Sequence, residues 1–211
     1  MATIACLHAA ESNIARFEDA LQQLDFDEIQ LLHRVEDKLL SEVIEAGEVS
    51  EEMTAAVRAI IGEMAQHADA VIITCTTLGA AALDTKAFSK PVIRVDAALA
   101  KAASHYQGAV LVLCTAHSTL AMTTRVFEAF IPGSRLAVEL VPRAWACFNQ
   151  NDIVGYHQQI AGYIQQRHEC ALGCIVLAQS SMAGAEKYIN TTLSVLTGPQ
   201  TSLQAAIDAI F

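Results

Sequence analysis

Ala70-Val-Ile-Ile-Thr-Cys-Thr-Thr-Leu-Gly-Ala-Ala-Ala-Leu83 reads as a short buried strand running straight into a helix. Residues 70 to 74 are apolar and β-branched, as in a strand covered on both faces. Gly79 with the neighbouring alanines suits a helix packed close behind it. Cys75, Thr76 and Thr77 fall at the junction. Free N–H groups and the positive end of a helix dipole can hold an anion there, and can lower a thiol pKa below its usual ~8.5. A strand-end cysteine can equally be a small apolar core residue.

A second copy of the stretch favours the functional reading. Val176-Leu-Ala-Gln-Ser-Ser-Met-Ala-Gly184 matches Ile72-Ile-Thr-Cys-Thr-Thr-Leu-Gly-Ala80 in character at each position. Gln179 stands where Cys75 stands, at a spacing of 104. The end of the first strand, Leu7-His8, aligns loosely with Thr115-Ala116 at a spacing of 108.

Outward from these copies, strands and helices alternate. Strands are expected over residues 3–7, 29–32, 91–95, 109–113, 136–141, 173–178 and 193–196. Helices are expected over 14–24 with Ser12 or Asn13 as cap, 50–67, 119–130, 151–166 and 201–210, with an alanine-rich helix after Asp96, a short one after Gln179 and a loop at Trp145. This pattern predicts an α/β fold of two pseudo-symmetric parallel-sheet domains, helices on both faces and a cleft between them. The first domain takes residues 1–97 plus 200–211 and carries Cys75; the second takes 98–199 and carries Gln179. Ligands in open α/β sheets sit beyond the carboxyl ends of strands, so Cys75 and Gln179 are expected on opposite sides of a bound molecule.

Composition excludes several classes. The 211 residues are 53% hydrophobic with 4 prolines, as in a globular protein, and no apolar run approaches the roughly 18 residues of a membrane span. The first residues lack a signal-peptide pattern, and six cysteines without framework spacing suggest reduced thiols, hence a cytoplasmic protein. Cys170 and Cys174 lack a second ligand pair, so no metal is expected. A net charge of -10 without a basic cluster speaks against nucleic acid, and nothing points to a membrane partner.

The strand-to-Cys-Thr junction, its echo and the Thr115-x-x-Ser118 turn together resemble the aspartate/glutamate/hydantoin racemase superfamily. In that superfamily two cysteines flank the substrate α-carbon, one removing the proton and the other returning it to the opposite face, without a cofactor. The resemblance implies that Cys75 is the first catalytic cysteine and that Thr76 and Thr77 are carboxylate-binding. It also matches Thr115 and Ser118 to the Thr-x-x-Thr of the second half. Relatives commonly form dimers or larger assemblies, so a homo-oligomer is also implied. Gln179 matches the second cysteine, and the runs Leu177 to Ala183, Thr74 to Gly79 and Ile93 to Asp96 look like a subset that carries Gln there.

Removing an α-proton without a cofactor requires oriented donors for an enolate-like charge. Candidates are the N–H groups after Cys75 and Gln179 and the hydroxyls of Thr76, Thr77, Ser180 and Ser181, which can alternatively be helix caps. Gln has no titratable proton near neutral pH, so Gln179 would orient a substrate oxygen. His8, at the first strand end, is the candidate second acid/base or a core histidine; His117 either joins it or faces outward. Asp96 caps a helix or reaches substrate, and Asp152 and His157 are expected on a solvated face. The leading reading is a cofactor-independent, racemase-like isomerase acting next to the carboxylate of a small substrate. The alternatives are a single-cysteine decarboxylase of a malonate-type acid and a non-catalytic carboxylate-binding protein.

Overall fold

The apolar run at residue 70 becomes an inner strand because both of its faces are covered. The computed structural model describes residues 1–39, 50–80, 82, 84–167 and 171–211. The first sheet has β1 (Ala2–His8), β2 (Ile29–Val35), β3 (Ala70–Ile73) and β4 (Val92–Arg94), ordered β2-β1-β3-β4. The second has β5 (Ala109–Cys114), β6 (Leu136–Leu140), β7 (Leu172–Leu177) and β8 (Ser194–Thr197), ordered β6-β5-β7-β8. Every pairing in both is parallel. The α/β architecture is therefore the one the sequence predicts, and the two sheets repeat a single strand order.

The helices are α1 (Asn13–Leu24), α2 (Glu51–Met64), α3 (Thr76–Ala80), α4 (Val95–Ser104), α5 (His117–Glu128), α6 (Ala144–Asn149), α7 (Ile153–Gln165) and α8 (Gly198–Ile210). Two compact units result, Met1–Ala98 with Pro199–Phe211, and Leu99–Gly198. In the first, Val71 and Ile73 face Val57, Ile61 and Met64 of α2, whereas Ala70 and Ile72 face Phe17 of α1 and Leu203, Ala206 and Ile207 of α8. In the second, Cys174 and Val176 face Phe127, and Ile175 and Leu177 face Tyr156, Ile160 and Ile164 of α7. Each fully buried Val, Ile or Leu in these layers contributes about 1.5–3 kcal/mol.

Several local expectations are corrected. Ser12 makes no side-chain cap bond to α1, and Asn13 is already helical; Ser12 instead offers its carbonyl to Arg16. β4 stops at Arg94, and Val95 starts α4. Trp145 lies in α6, entered through Arg143 at φ 64°, rather than in a loop. Asp152 is exposed, as expected, and in addition caps α7 by accepting from Gly155 N at 2.9 Å. The stretch after Gln179 is a 3₁₀ run, Ser180–Tyr188. Residues 40–49, Ala81, Leu83 and Cys170 lie outside the described residues, and with them the Cys170 half of the pair considered above. No helix among the described residues is long and apolar enough to cross a membrane.

Candidate active site

β3 ends in a turn set by one backbone bond: Thr74 N donates to Leu7 O at 3.0 Å, continuing the ladder one residue past the strand. Cys75 follows, and Gly79 N closes the first turn of α3 on Cys75 O at 2.8 Å. The Thr77 and Leu78 N–H groups and the Thr77 hydroxyl bond the Cys75 sulfur and favour its thiolate. Burial outweighs them, and with the Asp96 carboxylate it holds the thiol above its ordinary range. This corrects the expectation of a lowered pKa. A helix of five residues has little dipole to set against the loss of water around the sulfur. Thr76 and Thr77 are both partly buried at this turn.

Behind the turn lies a buried ion pair. Arg94 donates to both carboxylate oxygens of Asp96, Nε to Oδ1 at 3.1 Å and Nη2 to Oδ2 at 2.7 Å. Asp96 Oδ1 also accepts from Ala97 N at 2.8 Å. A Cβ placed on Gly79 would stand 3.2 Å from Arg94 Nε, so this glycine lets the guanidinium pass beneath α3. Arg94 was not singled out from sequence; its position at the end of β4, two residues before an acid, was the available signal.

His8 is fully buried, with its ring edge-on to Phe17. Its Nδ1 lies 2.9 Å from Thr74 Oγ1 and its Nε2 2.9 Å from His33 Nδ1. Burial, with His33 adding to it, pushes its pKa down to about 4. Both ring nitrogens of His8 are thus engaged by protein partners.

The second unit holds an equivalent junction of different chemistry. Ala178 N donates to Leu113 O at 3.0 Å, the counterpart of Thr74 N on Leu7 O. The repeat between β1 and β5 therefore runs from Leu7 to Leu113, a spacing of 106 rather than 108. Gln179 Oε1 accepts from Thr115 N at 2.7 Å, Thr115 Oγ1 at 2.7 Å and Ala116 N at 3.3 Å. Because the Thr115 hydroxyl donates to Gln179, it accepts from Tyr156 Oη at 3.0 Å; Tyr156 in turn accepts from Ser181 Oγ at 2.8 Å. Ser181 O lies 3.2 Å from His157 Nε2, so His157 is tied to this cluster and not simply solvated. Ser180 is buried, while His117 and Ser118 are exposed at the start of α5. Tyr156 was missed from sequence; its signal was its place in the apolar stripe with Ile160 and Ile164.

No protein-family model and no curated protein matches the chain. Solved structures do match it. The aspartate racemase of Picrophilus torridus superposes with a TM-score of 0.72 at 12% identity, covering 100% of this chain and 94% of its own. Allantoin racemase from Klebsiella pneumoniae gives 0.68 at 15%, covering 99% and 87%. Glutamate racemase from Thermus thermophilus, in complex with β-chloro-D-alanine, gives 0.64 at 18%, covering 99% and 80%. The chain thus has the fold of racemases acting on amino acids and on allantoin; identities this low show the fold and no more.

Proposed function

We propose that the protein is a cofactor-independent, racemase-like isomerase acting at the carbon next to a carboxylate, with Cys75 as its acid/base. The observation that carries this reading is the Cys75 turn itself: a partly buried thiol past the carboxyl end of an inner parallel strand, facing the N–H groups of Thr77 and Leu78. In a chain with a racemase fold, that is a suitable place for proton transfer.

The raised thiol pKa fits such a role. Protonated at neutral pH, Cys75 can donate to an enolate; once ionised, it is a more basic thiolate than an exposed one and better matched to a weakly acidic Cα–H. Thr76 and Thr77 bind the substrate carboxylate. Gln179, with no titratable proton, presents its amide to a substrate oxygen while Thr115 and Ala116 hold its carbonyl. Ser118, Ser180 and Ser181 serve as substrate-binding hydroxyls, and His8 supports the Cys75 turn through Thr74.

One observation favours a second reading. With a thiol at one junction and an amide at the other, delivery of a proton to a single face would suffice for decarboxylation of a malonate-type acid.

Incubation in D2O with a panel of small α-substituted carboxylates, followed by NMR of Cα–H exchange, tests the first reading. Exchange is expected in the wild type and not in Cys75→Ala; equal exchange by both would sink either thiol mechanism. Release of CO2 from a malonate panel without Cα–H exchange would favour the decarboxylase, and tight binding with neither reaction a carboxylate-binding protein. Gln179→Cys, which restores a thiol at the duplicated position, is expected to raise racemisation.

A further inference from the structure

On the α1 face of the first sheet three metal-binding side chains meet. Cys6 and His8 are two residues apart on β1 and so share a face, and the parallel register sets His33 of β2 opposite Cys6. One ligand atom from each lies within 4.8 Å of the others. Cys6 and His8 are fully buried, and His33 is partly so. Phe17 of α1 walls the group by packing on the His8 ring.

We propose that Cys6 Sγ, His8 Nε2 and His33 Nδ1 form a zinc site. One thiolate and two imidazoles are a donor set suited to zinc, leaving a fourth tetrahedral position for water. The outer partners are already in place: His33 Nε2 meets Glu18 Oε1 at 2.9 Å, and His8 Nδ1 meets Thr74 Oγ1 at 2.9 Å. Metal-bound histidines characteristically carry such a partner on their second nitrogen, which fixes the tautomer and the ring orientation.

Thr74 Oγ1 donates to Leu7 O, so it accepts from His8 Nδ1–H; in the neutral ring His8 Nε2 then accepts from His33 Nδ1–H, and Glu18 Oε1 meets the far nitrogen of His33. A divalent ion displaces two protons, one from the Cys6 thiol and one from between the rings. Its two positive charges are met by the Cys6 thiolate and the Glu18 carboxylate on His33. The nitrogens now stand 2.9 Å apart, against roughly 3.3 Å for two nitrogens on a tetrahedral zinc with bonds of ~2.0–2.1 Å. Binding the ion requires the rings to part and also to turn, so that both nitrogen lone pairs converge on it, with Cys6 Sγ, now within 4.8 Å of the nitrogens, at roughly 3.5 Å from each.

The test uses the full chain stripped with a chelator and titrated with Co2+ alone. Expected are a thiolate-to-cobalt charge-transfer band and four-coordinate visible bands, saturating at one ion per chain and bleached by Zn2+. Cys6→Ser should lose the charge-transfer band and His33→Gln the visible bands, with circular dichroism confirming the fold. Glu18→Gln changes a residue at the solvent edge of the group and should weaken Zn2+ binding on the order of 10–100-fold. A folded wild type without the thiolate band would overturn the proposal, as would a band surviving in both Cys6→Ser and His33→Gln, which would place the ion on other cysteines. Unchanged zinc affinity in Glu18→Gln would equally count against it.

Discussion

Cys75 and Gln179 stand at the same point of two sheets with the same strand order, one residue past a backbone N–H that reaches the neighbouring inner strand at 3.0 Å. From that shared point their surroundings diverge. At Cys75 the following N–H groups turn toward the sulfur, and the remaining support is a buried Arg94–Asp96 pair. At Gln179 the side chain reaches sideways, and its oxygen takes up the N–H groups of Thr115 and Ala116. One backbone plan thus leaves a thiol at one junction and fills the other with an amide. Strand order and register can be duplicated while the chemistry at equivalent positions is rewritten by one side chain.

The largest effect expected to separate the two junctions is on exchange. Cys75→Ala should lower Cα–H exchange by about 10²–10⁴-fold, the usual range for a positioned acid/base, and Gln179→Ala should act mainly on KM. Comparable kcat losses in both would erase the asymmetry. Arg94→Met should cost roughly 3–5 kcal/mol in urea unfolding, because it strands a buried carboxylate beneath the Cys75 turn. A loss below about 1 kcal/mol would mean that Asp96 finds water or a proton instead.

Next comes the ionisation of Cys75. Its pKa is raised by burial, so the thiolate fraction should climb about tenfold per pH unit from neutrality without levelling off before the ordinary thiol range. Iodoacetamide labelling read by mass spectrometry follows this directly, and a plateau near neutral pH would indicate a lowered pKa. The smallest effect belongs to the second unit. Tyr156→Phe removes the hydroxyl between Ser181 and Thr115 and should lower stability by about 1–2 kcal/mol, with little change in exchange if Gln179 keeps its two backbone donors.

Much of this comparison was legible in the chain. Runs such as Ala70–Ile73 and Leu172–Leu177 are buried on both faces, so continuous apolar character reports them directly and their repetition reports the duplicated plan. What failed depends on quantities a single strand does not carry. The 106-residue repeat from Leu7 to Leu113 follows from pairing, and the approach of His33 to Cys6 follows from the β1–β2 register. The raised thiol pKa comes from a balance of burial against N–H bonds, whose sign depends on the depth of the sulfur. Helix α6 begins at a left-handed Arg143 without a side-chain cap, so no start signal marked it.

The first unit is discontinuous: Leu203, Ala206 and Ile207 of α8 close the face formed by Ile4, Cys6, Phe17 and Ile72. During synthesis that face is made early but finished late. At ribosomal speeds of ~5–20 residues per second, the interval between emergence of Ile72 and arrival of α8 is on the order of ten seconds. Residues 99–198 can fold meanwhile as a self-contained insertion, while the earlier sheet holds an apolar surface open to solvent or to chaperones. A truncation that removes α8 would therefore act first on the part of the chain translated longest before it.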